Sequence, residues 1–231
     1  MSRKNRKNRA YAKSQNGQKS ITAAVVAVSL IAIVAATVLY QSEKSRPEPS
    51  WTDTRQEALA NSHAPTLGDP DAKVHIVEFL DPACGTCALF FPMVKNWMNE
   101  TPDKLRLSVR HVAFHTGSDY VLRILEASRN QDKYWQTLEV LLVTQSQWVL
   151  NHTVQQDRVL PAIAAADLDV DKLMAEMNSV QVMQRIERDK KDAVLMKVSA
   201  TPEYFVNGRP LPSFGQQQLL DLVREELERL Y

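Results

Sequence analysis

Two cysteines three positions apart follow directly on a run of apolar residues, and this junction constrains the fold more than any other feature of the chain. Residues 73–80 are nearly continuously apolar apart from Glu78, as in a strand that is covered on both faces. Cys84 and Cys87 come next, and the chain has no other cysteine. Because residues i and i+3 of a helix share one face, the pair can close a small disulfide ring at the start of a helix that follows the strand.

The predicted place of Cys84 on the first turn of this helix favours a reactive thiolate. Unpaired backbone N–H groups and the positive end of the helix dipole both stabilise negative charge there. We therefore expect the pKa of the Cys84 thiol to fall below the value of about 8.5 that a free cysteine has. A thiolate is the species that attacks disulfides, so the pair is interpreted as a redox device.

Metal binding and structural bracing explain the cysteine pair less well. A structural zinc site usually takes four Cys or His ligands, whereas the chain has no second cysteine pair and its five histidines show no ligand spacing. A disulfide across one helical turn closes too short a loop to add much stability. The sequence therefore predicts a redox-active disulfide, with no metal and no cofactor.

The N-terminal part of the chain has the pattern of a membrane anchor. Residues 1–20 contain seven Lys or Arg residues and no Asp or Glu, and residues 21–40 contain no charge at all. As a helix, this second stretch is about 30 Å long, which matches the hydrocarbon core of a bilayer. The preceding positive charges predict a cytoplasmic N-terminus and an exported C-terminal part, rather than a nucleic-acid-binding tail. A cleaved signal peptide, with cleavage near residues 34–36, is the competing interpretation.

Composition divides the rest of the chain into a linker and one α/β domain. Residues 41–65 are polar and punctuated by proline, which predicts a linker with a short helix around residues 55–60. The domain covers residues 66–231, and its strand–helix–strand start implies a parallel crossover. Its predicted elements are strands at 73–80, 105–114 and 203–207, and helices at 84–100, 118–130, 131–144, 155–166, 170–178, 180–197 and 216–230.

Three motifs, in this order along the chain, resemble the thioredoxin superfamily. They are residues 77–79 (Val-Glu-Phe), 84–87 (Cys-Gly-Thr-Cys) and 198–208 (Val-Ser-Ala-Thr-Pro-Glu-Tyr-Phe-Val-Asn-Gly). Within the superfamily the chain is most similar to the bacterial DsbA-like thiol:disulfide oxidoreductases, since a helical insert at about 117–197 precedes the third motif's proline. The resemblance covers residues 65–231 and implies an α/β thioredoxin fold with a helical insertion, preceded here by one N-terminal transmembrane helix.

The resemblance also implies roles for residues around the cysteines. Glu78 matches the buried acid of the family, and a buried carboxyl with a raised pKa is expected to accept the proton of Cys87 as that thiol attacks. Pro202 matches the cis-proline that packs against the disulfide. That arrangement leaves the backbone of Thr201 free to pair with an extended substrate segment.

The two cysteines are expected to act in sequence on protein substrates that carry thiols or disulfides. Cys84 forms the mixed disulfide with the substrate, and Cys87, which lies deeper and has the higher pKa, resolves it. Gly85 and Thr86, between the cysteines, are expected to contact the substrate and to tune the reduction potential. Because there is no third cysteine, an outside redox partner must complete each turnover.

The predicted location indicates the kind of partner but leaves the direction of electron flow open. We expect a single-pass inner-membrane protein with its domain on the periplasmic side. In that place its redox partner would be a quinone-linked oxidase or a membrane reductase. Strongly oxidising relatives have Pro-His between the cysteines, whereas this chain has Gly-Thr. Thr201 resembles the isomerase-like branch, and Ala200 and Glu203 depart from the glycine and the small or hydroxylated residue that are usual in the family.

Two other classes of function fit parts of the pattern. A membrane-anchored copper-binding protein (a metallochaperone) would use the cysteines as soft ligands together with a histidine such as His115. Copper-delivery relatives of thioredoxin usually have three residues between their cysteines, however, and this chain has two. A non-catalytic scaffold would not need a nucleophile at a helix N-terminus. His111 and His115 are otherwise interpreted as packing or surface residues without a function.

Overall fold

The computed structural model describes residues 32–37, 51–60 and 62–231 of the chain. These residues belong to two units, Met1–Ser50 and Trp51–Tyr231. The first unit contributes only the helical residues 32–37, so the predicted basic tail and most of the predicted membrane segment lie outside the described residues. Within the described part of the chain, no helix is long and apolar enough to cross a membrane.

The described residues form seven strands: β1 (Thr66–Gly68), β2 (Val74–Leu80), β3 (Leu105–His111), β4 (Val149–Leu150), β5 (Thr153–Val154), β6 (Glu203–Val206) and β7 (Arg209–Pro210). Five of them make one mixed sheet in the order β1-β3-β2-β6-β7. Strands β2 and β3 are parallel, and the other neighbouring pairs of this sheet are antiparallel. The short β4–β5 pair is separate. Strand β2 is central and almost entirely buried, which explains its continuous apolar sequence.

The helices of the second unit cover this sheet. Helix α2 connects the parallel strands β2 and β3, and six helices lie in the insert between β3 and β6. Short 3-10 helices occur at Arg129–Gln131 and Ala164–Ala166. The α-helices are α1 (Trp51–Leu59), α2 (Gly85–Glu100), α3 (Ser118–Ser128), α4 (Tyr134–Val143), α5 (Gln145–Trp148), α6 (Gln156–Ala162), α7 (Val170–Glu176), α8 (Val180–Met196) and α9 (Gln216–Leu230).

This element order confirms the predicted α/β architecture with a helical insertion, and most predicted boundaries are right to within a few residues. The strand predicted at 105–114 ends earlier, at His111. Beyond it, the backbone N–H groups of Phe114 and His115 donate to the Asp81 carboxylate, at 2.8 and 2.9 Å, instead of extending the sheet. A side chain from another segment therefore sets this boundary.

The two faces of the sheet are covered by separate apolar clusters. Neighbouring residues of a strand point to opposite faces, and Ile76 belongs to the larger cluster whereas Val77 belongs to the smaller one. The smaller cluster includes Ala58 and Leu59 of α1. The predicted linker of residues 41–65 therefore differs from the structure in its second half: the folded unit begins at Trp51, because α1 covers apolar side chains of the sheet.

Candidate active site

The two cysteines lie at the start of α2, directly after the central strand β2. Cys84 is the N-cap residue with an extended backbone, and Cys87 lies in the first turn of the helix. Both are free thiols; Cys84 is 6% exposed, and Cys87 is completely buried. Of the two sulfurs, only that of Cys84 is therefore within reach of another protein.

The surroundings of the cysteines separate the pKa values of their thiols. The hydrogen bond with the Cys87 thiol is the largest cause that lowers the pKa of Cys84, which falls to about 5. The backbone N–H groups of Thr86 and Cys87 at the helix start lower it further. Burial is the main cause that raises the pKa of Cys87 well above its usual range. At neutral pH, Cys84 is a thiolate and Cys87 is a thiol.

Glu78 lies within β2 and is completely buried. Neither of its carboxyl oxygens has a hydrogen-bond partner among the described residues. Burial is the main cause that raises the pKa of this carboxyl to about 8, and the charge of Cys84 raises it further. The charge of Glu78 in turn raises the pKa of Cys87. A carboxyl group with such a pKa can take up and return a proton near neutral pH.

The loop before β6 brings the predicted proline motif against the cysteines. The Thr201–Pro202 peptide bond is cis, and Pro202 is buried. In its protonated form, the Cys84 thiol donates a hydrogen bond to the Thr201 carbonyl oxygen, at 3.1 Å. The structure thus brings together residues that are far apart in sequence and that the motifs singled out.

The helical insert also reaches the active site, which the sequence did not indicate. Nε2 of Gln145, the first residue of α5, donates to the carbonyl oxygens of Pro82 at 2.7 Å and Cys84 at 3.1 Å. Gly85 is exposed and Thr86 is partly exposed, and their contact with a substrate stays a prediction. The insert therefore holds the backbone from which the reactive sulfur projects.

Asp81 organises the turn between β2 and α2, and sequence reasoning missed it. Its buried carboxylate accepts hydrogen bonds of 2.7–2.9 Å from the backbone N–H groups of Ala83, Phe114 and His115, the His115 ring and the Ser118 hydroxyl. The one signal in the sequence is a carboxylate immediately after a buried strand.

Among the described residues, no three His, Cys, Asp or Glu side chains form a group that could hold a metal ion.

A buried group of charges links β3 to the insert. Nδ1 of His111 lies 3.1 Å from Oε1 of Glu126, and its Nε2 lies 2.8 Å from the Tyr134 hydroxyl. Nε of Arg110 donates to Oδ1 of Asp189 at 2.6 Å. Burial opposes ionisation of His111, but its contacts with Asp189 and Glu126 outweigh it and raise the pKa of His111 to about 9. His111, taken from the sequence as a residue without a function, thus carries a positive charge inside the domain.

The sequence of the chain is similar to those of known proteins. Residues 60–224 match a family model described as Thioredoxin. The chain is 32% identical over 162 residues to the Na(+)/H(+) antiporter NhaA of Herminiimonas arsenicoxydans; the match covers 70% of this chain and 25% of that protein, so the chain spans about a quarter of the antiporter's length. It is 24% identical over 193 residues to the thiol:disulfide interchange protein DsbA of Bordetella bronchiseptica, covering 79% of this chain and 83% of that protein.

The fold has a close counterpart among solved structures. The thioredoxin-like oxidoreductase from Silicibacter pomeroyi DSS-3 superimposes with a TM-score of 0.64 at 24% sequence identity, covering 76% of this chain and 98% of that chain. This likeness shows that the two proteins have the same fold. The family model matches most of the chain, including both cysteines and the cis-proline, and the chain therefore belongs to the thioredoxin family.

Proposed function

We propose that this chain is a thiol:disulfide oxidoreductase that exchanges disulfides with protein substrates through Cys84 and Cys87. The observation that carries the proposal is the separation of the two thiols, one ionised at the start of a helix and the other buried and protonated. A sulfur with a low pKa is a ready leaving group and is ionised at neutral pH, whereas a buried sulfur is reserved for the resolving step. The likeness to a protein named thiol:disulfide interchange protein supports the proposal.

The exchange runs through a mixed disulfide. In the reducing direction, the Cys84 thiolate attacks a substrate disulfide, a Cys84–substrate bond forms, and the other substrate sulfur leaves as a thiolate. Cys87 then gives its proton to Glu78 and attacks the Cys84 sulfur. This second attack releases the remaining substrate thiolate and leaves a Cys84–Cys87 disulfide, so two electrons pass to the substrate. In the oxidising direction, the same steps run in reverse and Glu78 returns the proton to Cys87.

Glu78 is suited to this step because its proton affinity depends on the state of Cys84. The charge of the Cys84 thiolate is one cause of the raised pKa of Glu78. Once Cys84 is bound in a mixed disulfide, that charge is gone, and the carboxyl ionises more readily. Glu78 is therefore more fully ionised, and so able to accept a proton, at the point where Cys87 must lose its proton.

We propose oxidation of substrates as the favoured direction. Stabilisation of the Cys84 thiolate favours the reduced form of the pair, and an enzyme whose reduced form is stabilised draws electrons from its substrates. The reduction potential measured against glutathione tests this, since oxidases and thioredoxin-like reductases lie about 150 mV apart. A potential at the thioredoxin end of that range would assign the reducing direction instead.

We further propose that residues 21–40 anchor the domain in the inner membrane, on the periplasmic side, beside a quinone-linked oxidase or a membrane reductase. The charge pattern of the first 40 residues supports this topology. Cell fractionation tests it: the full chain should remain in the membrane fraction. A mature protein that starts near Thr37 and occurs in the soluble extracytoplasmic fraction would support a cleaved signal peptide.

Serine variants of the two cysteines test the proposed activity. Cys84→Ser should abolish disulfide exchange, because it removes the attacking sulfur. Cys87→Ser should accumulate mixed disulfides with substrates, because the resolving sulfur is missing. Insulin reduction measures the first effect and non-reducing gels the second, with the double variant as the control that traps nothing. Full turnover by Cys87→Ser without trapped substrates would contradict the assigned roles.

A further inference from the structure

We propose that Tyr204 is a positioning residue for Glu78: its phenol hydroxyl donates a hydrogen bond to the Glu78 carboxylate when that carboxylate is ionised, and so lowers its proton affinity. The proposal deepens the proposed function, since Glu78 is the group assigned to take the proton of Cys87. Phenylalanine would fill the same core position and lacks only the hydroxyl. The hydroxyl therefore needs an explanation other than packing.

The sheet places Tyr204 directly opposite Glu78. Strands β2 and β6 are antiparallel, and Glu78 and Tyr204 are partners in their register. Side chains at partner positions of antiparallel strands point to the same face and lie next to each other. Both residues are completely buried, so water outside the protein does not compete for their polar atoms.

The polar atoms of this pair are complementary, and among the described residues they have no other partners. Within the part of the chain that the structure describes, both carboxyl oxygens of Glu78 and the hydroxyl of Tyr204 are buried without a hydrogen bond. A carboxylate accepts hydrogen bonds only, and a phenol hydroxyl can donate one. Leaving an ionised carboxylate buried without a donor is very unfavourable, so ionisation of Glu78 favours closure of this bond.

The same tyrosine also contacts the helix that carries the cysteines. The ring of Tyr204 stacks on Phe90 of α2, with the ring centroids 6.1 Å apart and the ring planes 24° apart. Phe90 lies three residues after Cys87, and Tyr204 lies two residues after Pro202. Tyr204 is thus fixed between the buried acid, the resolving cysteine and the proline loop.

The charges around the pair keep Tyr204 in its donor form. Burial is the main cause that raises the pKa of Tyr204 well above its usual value, and the negative charges of Glu78, Cys87 and Cys84 add to it. On the other side, the positive charge of His111 on β3 lowers the pKa of Glu78. Burial is the main cause that raises the pKa of Tyr134 on α4 well above its usual value, and the charge of Glu78 adds to it, so Tyr134 stays protonated. The phenol of Tyr204 is therefore a hydrogen-bond donor throughout the range in which Glu78 titrates.

Carbon-13 NMR of the reduced full-length chain in detergent tests the bond without any substitution. The carboxyl carbon of Glu78 and the Cζ carbon of Tyr204 should shift together, with one midpoint, as Glu78 ionises. The Cζ carbon of Tyr120, which lies in α3, is the internal control and should not follow that midpoint. A Tyr204 signal that stays constant while Glu78 ionises would overturn the proposal.

The variant Tyr204→Phe gives the size of the effect. The proton affinity of Glu78 should rise about tenfold, because a hydrogen bond to the charged form is lost. The pH midpoint of the resolving step should move upward by the same amount. The control Tyr120→Phe removes a hydroxyl outside this group and should change neither. An unchanged Glu78 titration in folded Tyr204→Phe protein would refute the bond.

The carboxyl titration separates this proposal from the proposed function. If Tyr204→Phe shifts the Glu78 titration while Glu78→Gln leaves the resolving step unchanged, the Tyr204–Glu78 bond is supported and the proton-transfer role of Glu78 is wrong. If instead Glu78→Gln slows the resolving step while Tyr204→Phe shifts neither readout, the role of Glu78 is supported and the bond is refuted.

Discussion

Glu78 connects the chemistry of the site to the stability of the domain. Its carboxyl has a pKa of about 8 in the folded protein, against 4.5 as its ordinary value. Between these two pH values the Glu78 site binds more protons in the folded state than in the unfolded state, so the contribution of Glu78 to stability falls as the pH rises from about 4.5 to about 8. Glu78→Gln removes this dependence and should stabilise the reduced protein by up to about 5 kcal/mol at pH 8, with little effect at pH 4.5.

Urea unfolding of the reduced protein at several pH values measures this difference. The range between pH 5 and 6.5 is the most informative, because His111, whose pKa is also raised, contributes stability that is fully present below its unfolded pKa of 6.5 and is lost as the pH rises through about 9. Glu187→Gln, on the exposed side of α8, is the control and should keep the slope of the unaltered chain. An equal slope in Glu78→Gln would contradict the raised pKa.

Among single residues, the sequence identified those that belong to motifs. It missed those whose role depends on contacts with distant segments of the chain. Cys84 and Cys87 stand out because of their residue type and spacing, and Pro202 stands out because the motif around it resembles that of a known family. Asp81 and Tyr204 do not, since an acid after a strand and a tyrosine in a strand are common. Their importance comes from atoms that lie many residues away along the chain, and no local pattern reports such contacts.

Buried charged groups hold helix α8 against strand β3. Asp189 of α8 accepts hydrogen bonds from Nε of Arg110 at 2.6 Å, the backbone N–H of His111 at 2.8 Å and Nε2 of His63 at 2.8 Å. Asp189→Asn keeps the shape but leaves two buried cationic groups with less negative charge. We expect a loss of about 3–5 kcal/mol in the free energy of unfolding.

Chemical denaturation at pH 6 to 7 measures that loss, and Glu187→Gln on the same helix is again the matched control, with an expected change within about 0.5 kcal/mol. A similar small change in Asp189→Asn would show that the charge group adds no net stability.

The sequence predicted α8 itself almost to the residue, since its apolar periodicity is local. It did not distinguish Asp189 from its neighbours, because a run of charges on a helix is usually a solvated face.

For the molecule as a whole, the sequence predicted the order of the elements, whereas contacts between separate segments determine how they meet. The strand–helix–strand start and the final helix follow from periodicity, and the fold class follows from their order. The docking of α1 on the sheet was missed because its sequence is polar and lies next to proline-rich residues. The hydrogen bonds of Gln145 to the active-site loop were equally invisible, since they join segments about sixty residues apart.

The redox state of the cysteine pair should change the stability of the whole domain. The pKa of Cys84 is lowered in the folded state to about 5 from an ordinary value of 9, so its ionisation contributes stability that is complete above pH 9 and is lost as the pH falls through about 5. The disulfide form has no such group. The reduced protein should therefore gain stability over the oxidised protein as the pH rises from 5 to 7, by about 1–2 kcal/mol after allowance for solvent screening.

Urea unfolding of both forms at pH 5 and pH 7 measures this gain, in a Glu78→Gln background so that Glu78 does not add to the difference between the two forms. Cys84→Ser in the same background is the control: it cannot form the disulfide or the thiolate, and its stability should change from pH 5 to pH 7 by the same amount as that of the oxidised protein. A difference between reduced and oxidised protein that stays constant from pH 5 to pH 7 would show that the fold does not stabilise the thiolate. A growing difference would mean that the fold stabilises the Cys84 thiolate. This stabilisation favours the reduced cysteine pair and hence electron transfer from the substrate to the pair.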